Sequence, residues 1–180
     1  MPAPRRLSSG SSPAAEAPLR TPLGAAAAKL LARGYAVVVL GRAKRPLRLP
    51  GQEHGVRDAT SDLLELEARL FAAGSTAGGL GVACGGPDGP VVVDADGACA
   101  VAVVRRLLGP AVATVPHERS THGEHWFFSP DPSVRRAVRA VAVPGCACQK
   151  PCGVDVLGTA SHGGWGQFVV TAPTPGRTWA

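Results

Sequence analysis

The sequence predicts an α+β fold, with a largely antiparallel or mixed central sheet flanked by helices. Three observations carry that expectation. Helix-forming stretches come mainly early and strand-forming stretches mainly late, the order of an α+β layer arrangement. The strand stretches are short, rich in Val and bounded by Gly. Gly and Pro number 23 and 17 of 180 residues, which implies many turns and short elements. A chain of 180 residues suits one domain with a proper core. Because aromatics are only 4%, that core must be built from Ala, Val and Leu.

Taken in order, residues 1–20 are rich in Ser, Pro and Ala and poor in bulky apolar groups, and read as a disordered leader before a domain over 21–180. Thr21 can cap a helix that starts at Pro22, runs through AAAAKLLAR and ends at Gly34. YAVVVLG (35–41) reads as a buried strand. A polar, Pro-containing connection follows over 42–60. Thr60 or Ser61 then opens a second helix, with Asp62 and Glu65 in its first turn and Gly74 after its end. GLGVA (79–83) and PVVVDAD (90–96) are strands, and the turn chemistry of CGGPDG between them predicts a hairpin. ACAVAVVRRLLG (98–109) has helical length and a terminal Gly. ATV (113–115), EHWFF (124–128), GVDVLG (153–158) and WGQFVVTA (165–172) are further strands, and SVRRAVRAVAV (133–143) fits helix or strand.

No run of 18 apolar residues exists, so no membrane span is expected. Arg5-Arg6 is followed by Ser, Pro and Ala instead of an apolar h-region, which argues against a signal peptide and for a cytoplasmic protein. The net charge of +6 favours polyanionic partners, nucleic acid first. An Arg-rich solvated surface would give the same balance, and the basic residues form pairs, not blocks. Five cysteines, unevenly spaced, do not form a disulfide framework.

Chemistry concentrates in three stretches. In VVVDADG (91–97), Asp94 and Asp96 stand two apart on a strand and project to one face. Their Cα atoms would lie about 6.5 to 7 Å apart. Like charges that close repel unless a cation sits between them, and hard carboxylate oxygens suit Mg²⁺ or Mn²⁺. The other reading has one Asp capping a turn at Gly97 and the other facing solvent. In RSTHGEHWFF (119–128), His125 opens an aromatic strand after a small polar turn. Free backbone N–H groups of such a turn, formed by Arg119, Ser120, Thr121 and Gly123, can bind phosphate oxygens together with a protonatable His. A satisfied strand histidine is the alternative. In CGVDVLG (152–158), Asp155 lies between valines, where a carboxylate is costly unless paired or metal-bound.

The ordered set resembles the archaeo-eukaryotic primase superfamily, and within it the N-terminal domain of bifunctional DNA primase/polymerases. The likeness covers about residues 24–179. It takes in the Ala-rich helix leading to GYAVVVLGRAKRPL, then RDATSD, GLGVACG, VVVDADG, THGEHWFF and GVDVLGTASHGGWGQFVVTAP. It implies an RRM-like catalytic core and template-directed nucleotidyl transfer by two metal ions. It matches Asp94, Asp96 and Asp155 to the metal-binding acids and His125 to the histidine that contacts the nucleotide's phosphates. Gly123 stands where many members have Ser in a Ser-x-His motif. The partners implied are single-stranded or primed DNA and nucleoside triphosphates; many relatives also carry a helicase domain, and three readings stand for its absence from this sequence: a separate helicase partner, a remnant, or a fragment. A degenerate domain that binds nucleotide or nucleic acid without polymerising is the alternative. VVVDADG also resembles the first motif of haloacid-dehalogenase-type phosphatases, though Ala98 follows the glycine and the motif stands mid-chain. No P-loop precedes the acidic strand.

Cys146, Cys148 and Cys152 form C-x-C-x₃-C. Two readings stand: a structural Zn²⁺ with a fourth ligand from His117, His122 or His162, or three free thiols in a loop. Cys84 and Cys99 read as small core residues. Lys44 reads as solvated. Trp165 and Trp179 pack on the last strand or stack on bases.

Overall fold

Two antiparallel sheets share the strands of the described residues. The structure is a computed structural model; it describes residues 18–180 except 144, 147–151, 161–164 and 166, with backbone alone at 139–142. Three helices are described: α1 (Pro22–Ala32), α2 (Leu63–Ala73) and α3 (Ala98–Leu108). The strands are β1 (Val37–Gly41), β2 (Ala77–Cys84), β3 (Val91–Asp96), β4 (His117–Ser120), β5 (Gly123–Phe128), β6 (Ala137–Ala142), β7 (Gly153–Leu157), β8 (Gln167–Thr171) and β9 (Arg177–Trp179). The smaller sheet has the order β1-β2-β8 and the larger β6-β7-β3-β5-β4-β9. Among the described residues every strand pair is antiparallel, and the parallel contact is an isolated bridge between Arg135 and Thr159. No helix among the described residues is long and apolar enough to cross a membrane.

The α+β class holds, but the strands form two sheets where one central sheet was expected. The 79–83 and 90–96 strands are not a hairpin. β2 pairs with β1 and β8, whereas β3 pairs with β5 and β7, so CGGPDG carries the chain from one sheet to the other. Gly85 and Gly86, both at positive φ, make that crossing, and Gly85 N–H closes it on the Pro90 carbonyl.

The two faces of β3 explain the layering. Ala95 faces α3, packing with Ala100, Val104, Trp126 and Val154. On the other face, Val92 joins Phe127 and Leu157 in the main core with Val37, Val39, Leu80, Val82 and Val169 of the smaller sheet and Leu30, Leu66 and Leu70 of α1 and α2. Strand alternation then puts Asp94 and Asp96 on the face of Val92, past the end of that core.

Local chemistry sets the helix ends. Thr21 Oγ1 accepts from Gly24 N–H and starts α1. The cap of α2 is Asp62, which accepts from Glu65 N–H, and not Thr60 or Ser61. Thr60 is drawn instead into a bridge with Val37 of β1. The leader expectation lies outside the described residues at 1–17. At 18–20 it gives way to a 3₁₀ turn whose Leu19 packs on the main core. Residues 113–115 are not a strand: a 3₁₀ turn over Gly109–Ala113, begun by Pro110, displaces it, and the strand starts at His117 after Pro116. The ambiguous 133–143 stretch is a strand, β6.

Candidate active site

One rung of the larger sheet carries the acids and the histidine. Asp94 on β3 is the direct partner of Asp155 on β7 and of His125 on β5. His125 is in turn the partner of Glu118 on β4, and Glu118 of Trp179 on β9. Directly opposed strand residues project to the same face. Asp155, Asp94, His125 and Glu118 therefore form a row across four strands, with Asp96 two residues along β3 on the same side.

His125 is the centre of a buried polar network. Its Nε2 lies 3.1 Å from Asp94 Oδ1 and its Nδ1 3.8 Å from Glu118 Oε2. Burial opposes its charge, but the Asp94 and Glu118 carboxylates outweigh burial and hold the imidazole above its ordinary pKa. Glu118 is fully buried and ties the two sheets together: its Oε1 accepts from Thr171 Oγ1 and from Ala172 N–H at 2.8 Å, both past the end of β8 or on it. Arg177 Nη1 lies 3.0 Å from Nδ1 and 2.6 Å from Nε2 of His125. In a neutral imidazole the guanidinium donates to the unprotonated nitrogen. Burial pulls the Arg177 pKa down, against the pull of Asp94, Glu118 and Asp96.

The acids fit a divalent cation. Asp94 Oδ1 is buried and has no aligned hydrogen-bond donor despite its closeness to His125. Desolvation, then the neighbouring Asp94 and Asp155 charges, raise the Asp96 pKa, with His125 and Arg177 acting the other way. Carboxylates that repel one another on one face are a donor set for hard cations such as Mg²⁺ or Mn²⁺. The three acids do not already converge as a tight cage. Among the described residues, the sets whose donor atoms all lie within 4.8 Å are Cys99, Cys146 and Cys152, and the more exposed Glu53, His54 and Asp58.

The turn between β4 and β5 departs from the sequence expectation in two ways. Its His122 and Gly123 N–H groups are not free: both donate to Ser120 Oγ, at 3.3 and 2.9 Å. Arg119 lies on the opposite face from His125. It pairs in register with Glu124, approaches that carboxylate at 3.8 Å, and shares it with Arg105 of α3. The period of two along β4 forces this, since Glu118 and Arg119 must point apart. Thr121 is exposed at the tip of the turn. Gly123, partner of Asp96, lies so close to β3 that a Cβ there would collide with the Ala95 carbonyl oxygen.

Cys146 and Cys152 come together, and Cys99 joins them. Cys99 does pack on the α3 core, as a small core residue would, but its sulfur also belongs to this group. Cys148 and His162 lie outside the described residues. Neither His117, stacked on Trp126, nor the exposed His122 is in the thiol group. Cys84 is a core thiol that burial pushes up to about 12. Lys44 is exposed in a turn at positive φ. Trp179 packs against Phe127, with Arg33 over its ring.

Sequence reasoning missed Glu118, Arg177 and β9. Glu118 lies in HERS, whose charge pattern resembles an exposed turn. Arg177 follows two prolines and a glycine and opens a strand of only three residues. The family model described as bifunctional DNA primase/polymerase, N-terminal, matches residues 27–180. No curated protein matches the chain.

Proposed function

Since this chain belongs to the family of bifunctional DNA primase/polymerase N-terminal domains, we propose that it performs template-directed nucleotidyl transfer at the Asp155–Asp94–His125 rung. The family is one of primase/polymerase-type nucleotidyltransferases that act on DNA and nucleotides and typically use divalent metals. The observation that carries the reading to these residues is the register: Asp94 has Asp155 on one side and His125 on the other.

In this reading Asp94, Asp96 and Asp155 hold Mg²⁺ or Mn²⁺. When bound, such ions supply charge neutralisation at the triphosphate and activation of the attacking hydroxyl. The chain's own residues do the rest. His125, whose pKa the Asp94 and Glu118 carboxylates raise against the effect of burial, presents a ring N–H to phosphate oxygens. Arg177, already beside that imidazole, turns its guanidinium to the same anion. Glu118 fixes the imidazole's position from behind, itself anchored by Thr171 and Ala172. The net charge of +6 favours contact with the template backbone.

Replacing Asp94 and Asp96 together by Ala abolishes metal-dependent dNTP incorporation in a primer-extension assay with Mg²⁺ or Mn²⁺. Undiminished incorporation would refute the assignment. A second reading rests on Gly123. The close approach of its backbone to Ala95 leaves no room for the serine found there in many relatives. A domain lacking that hydroxyl could bind nucleotide without polymerising, and binding without extension by the wild-type chain would select that reading. The family match lends nothing to the phosphatase alternative.

A further inference from the structure

We infer that the groove between α1 and the β8–β9 turn is a subsite for single-stranded nucleic acid, in which the Arg33–Trp179 stack takes a base and Lys29 an adjoining phosphate. The inference rests on the function proposed above and extends it to the path of the bound strand.

The groove has a volume of about 460 Å³. One wall is a single face of α1, with Ala25, Ala26, Lys29 and Arg33, and the other is Pro173 and Trp179. Spacings of three and four residues put those helix positions on one side. Alanine at two of them keeps the helix surface low and leaves the space open. Leu30 closes the floor toward the main core.

The walls join a platform to cations. The Arg33 guanidinium lies 4.8 Å from the Trp179 ring centroid, and Phe127 backs the same ring at 5.1 Å. The indole is thereby fixed, and the outer plane of the exposed guanidinium extends it as a stacking surface. Bases of single strands stack on aromatic rings and on Arg planes, whatever the sequence. Lys29 is exposed one helical turn away. No Asp or Glu lines the groove. Among the described residues, neither Lys29 nor Arg33 has a carboxylate partner. Two cations at that spacing repel each other, and an anion between them relieves the repulsion. Cations near a helix C-terminus also complement its dipole. That effect needs neither the groove nor the indole beneath Arg33.

The location selects nucleic acid over an acidic peptide. Trp179 is the register partner of Glu118, which is the partner of His125. The indole therefore projects to the face of the acids, two strands from His125, or about 10 Å across the sheet. Arg177, two residues before Trp179 on β9, shares that face and touches His125. One short strand thus links the imidazole to the groove. A nucleic-acid strand leaving the rung meets Trp179, Arg33 and Lys29 next.

The test measures binding of a fluorescein-labelled oligo(dT) to the full chain by anisotropy between 50 and 200 mM salt. No metal or nucleotide is added, so the result does not depend on catalysis. Lys29→Glu should weaken binding about 10-fold and make the slope of log K against log salt shallower by about 0.7, the loss of one phosphate contact. Arg33→Ala should weaken it at least about fivefold, the scale of a lost stacking contact. Arg106→Glu is a charge-matched control. It is exposed on α3, which packs on the opposite face of the larger sheet, and should stay within about twofold of wild type. Unlabelled oligo(dT) should quench tryptophan fluorescence, and Trp179→Phe should remove most of that quenching. The subsite is overturned if wild type binds no oligonucleotide, or if folded Lys29→Glu and Arg33→Ala keep wild-type affinity and salt slope. It is also overturned if Arg106→Glu loses as much as they do, or if poly-glutamate displaces the oligonucleotide at equal charge concentration. Primer extension separates this inference from the proposed function. Wild-type extension with unaltered groove variants removes the subsite and keeps the rung. Groove-dependent binding by a wild type that incorporates nothing keeps the subsite and removes the polymerase reading.

Discussion

Asp94 and Asp155 are direct partners across the antiparallel β3–β7 ladder, although the turn, helix and hairpins between them separate them widely in sequence. Their carboxylates share a face with His125, the partner of Asp94 on its other side. Sheet register does what no local motif can: it places charges of like sign side by side at one level, next to one imidazole.

Asp155→Asn keeps the shape of the side chain and removes one negative charge from the row. Metal-dependent incorporation should fall on the order of 100-fold or more, the scale of losing a group that stabilises transition-state charge. Circular dichroism should be unchanged. Steady-state primer extension at saturating Mn²⁺ measures the loss; a change below twofold would remove Asp155 from the site.

Arg177 and Arg119, both near the β4–β5 hairpin, should behave differently. Arg177 touches His125, whereas Arg119 sits on the α3 side with Glu124. Arg177→Ala should weaken triphosphate binding by about 10- to 100-fold, the worth of a charge-assisted contact. Arg119→Ala should change it by less than about twofold, as an exposed ion pair contributes little. Nucleotide titration by calorimetry separates them, and equal effects would contradict the two-face geometry.

Glu118→Ala removes the carboxylate that accepts from Thr171 Oγ1 and Ala172 N–H. The cost should be about 2 to 4 kcal/mol, because two donors lose their acceptor in a buried space and His125 loses a partner. Urea denaturation checks this. A loss under about 0.5 kcal/mol would mean that Glu118 does not link the sheets.

Gly123→Ser restores the residue common in relatives, but its Cβ meets the Ala95 carbonyl. The β3–β5 ladder must yield, with a cost of about 1 to 3 kcal/mol. Lower thermal stability without a gain in incorporation is the expected outcome, read by thermal melts alongside primer extension.

The sequence by itself determined the helices, most strands and the order of the motifs. Thr21 before Pro22, Gly after α2 and α3, and the valine runs of β1 and β3 act through a few neighbouring residues. Capping, backbone freedom and side-chain period are local physics, legible in a contiguous stretch. That Asp94 and Asp96 share a face follows from the same period of two. The tertiary structure decided everything that depends on which strand pairs with which. It split the expected single sheet in two, undid the hairpin at CGGPDG, recruited β9, turned Arg119 away from His125, and brought in Arg177, Glu118 and Cys99. Partner and register are fixed by the summed burial of both faces across distant segments, and a slip of one residue would invert every face. No local stretch contains that information.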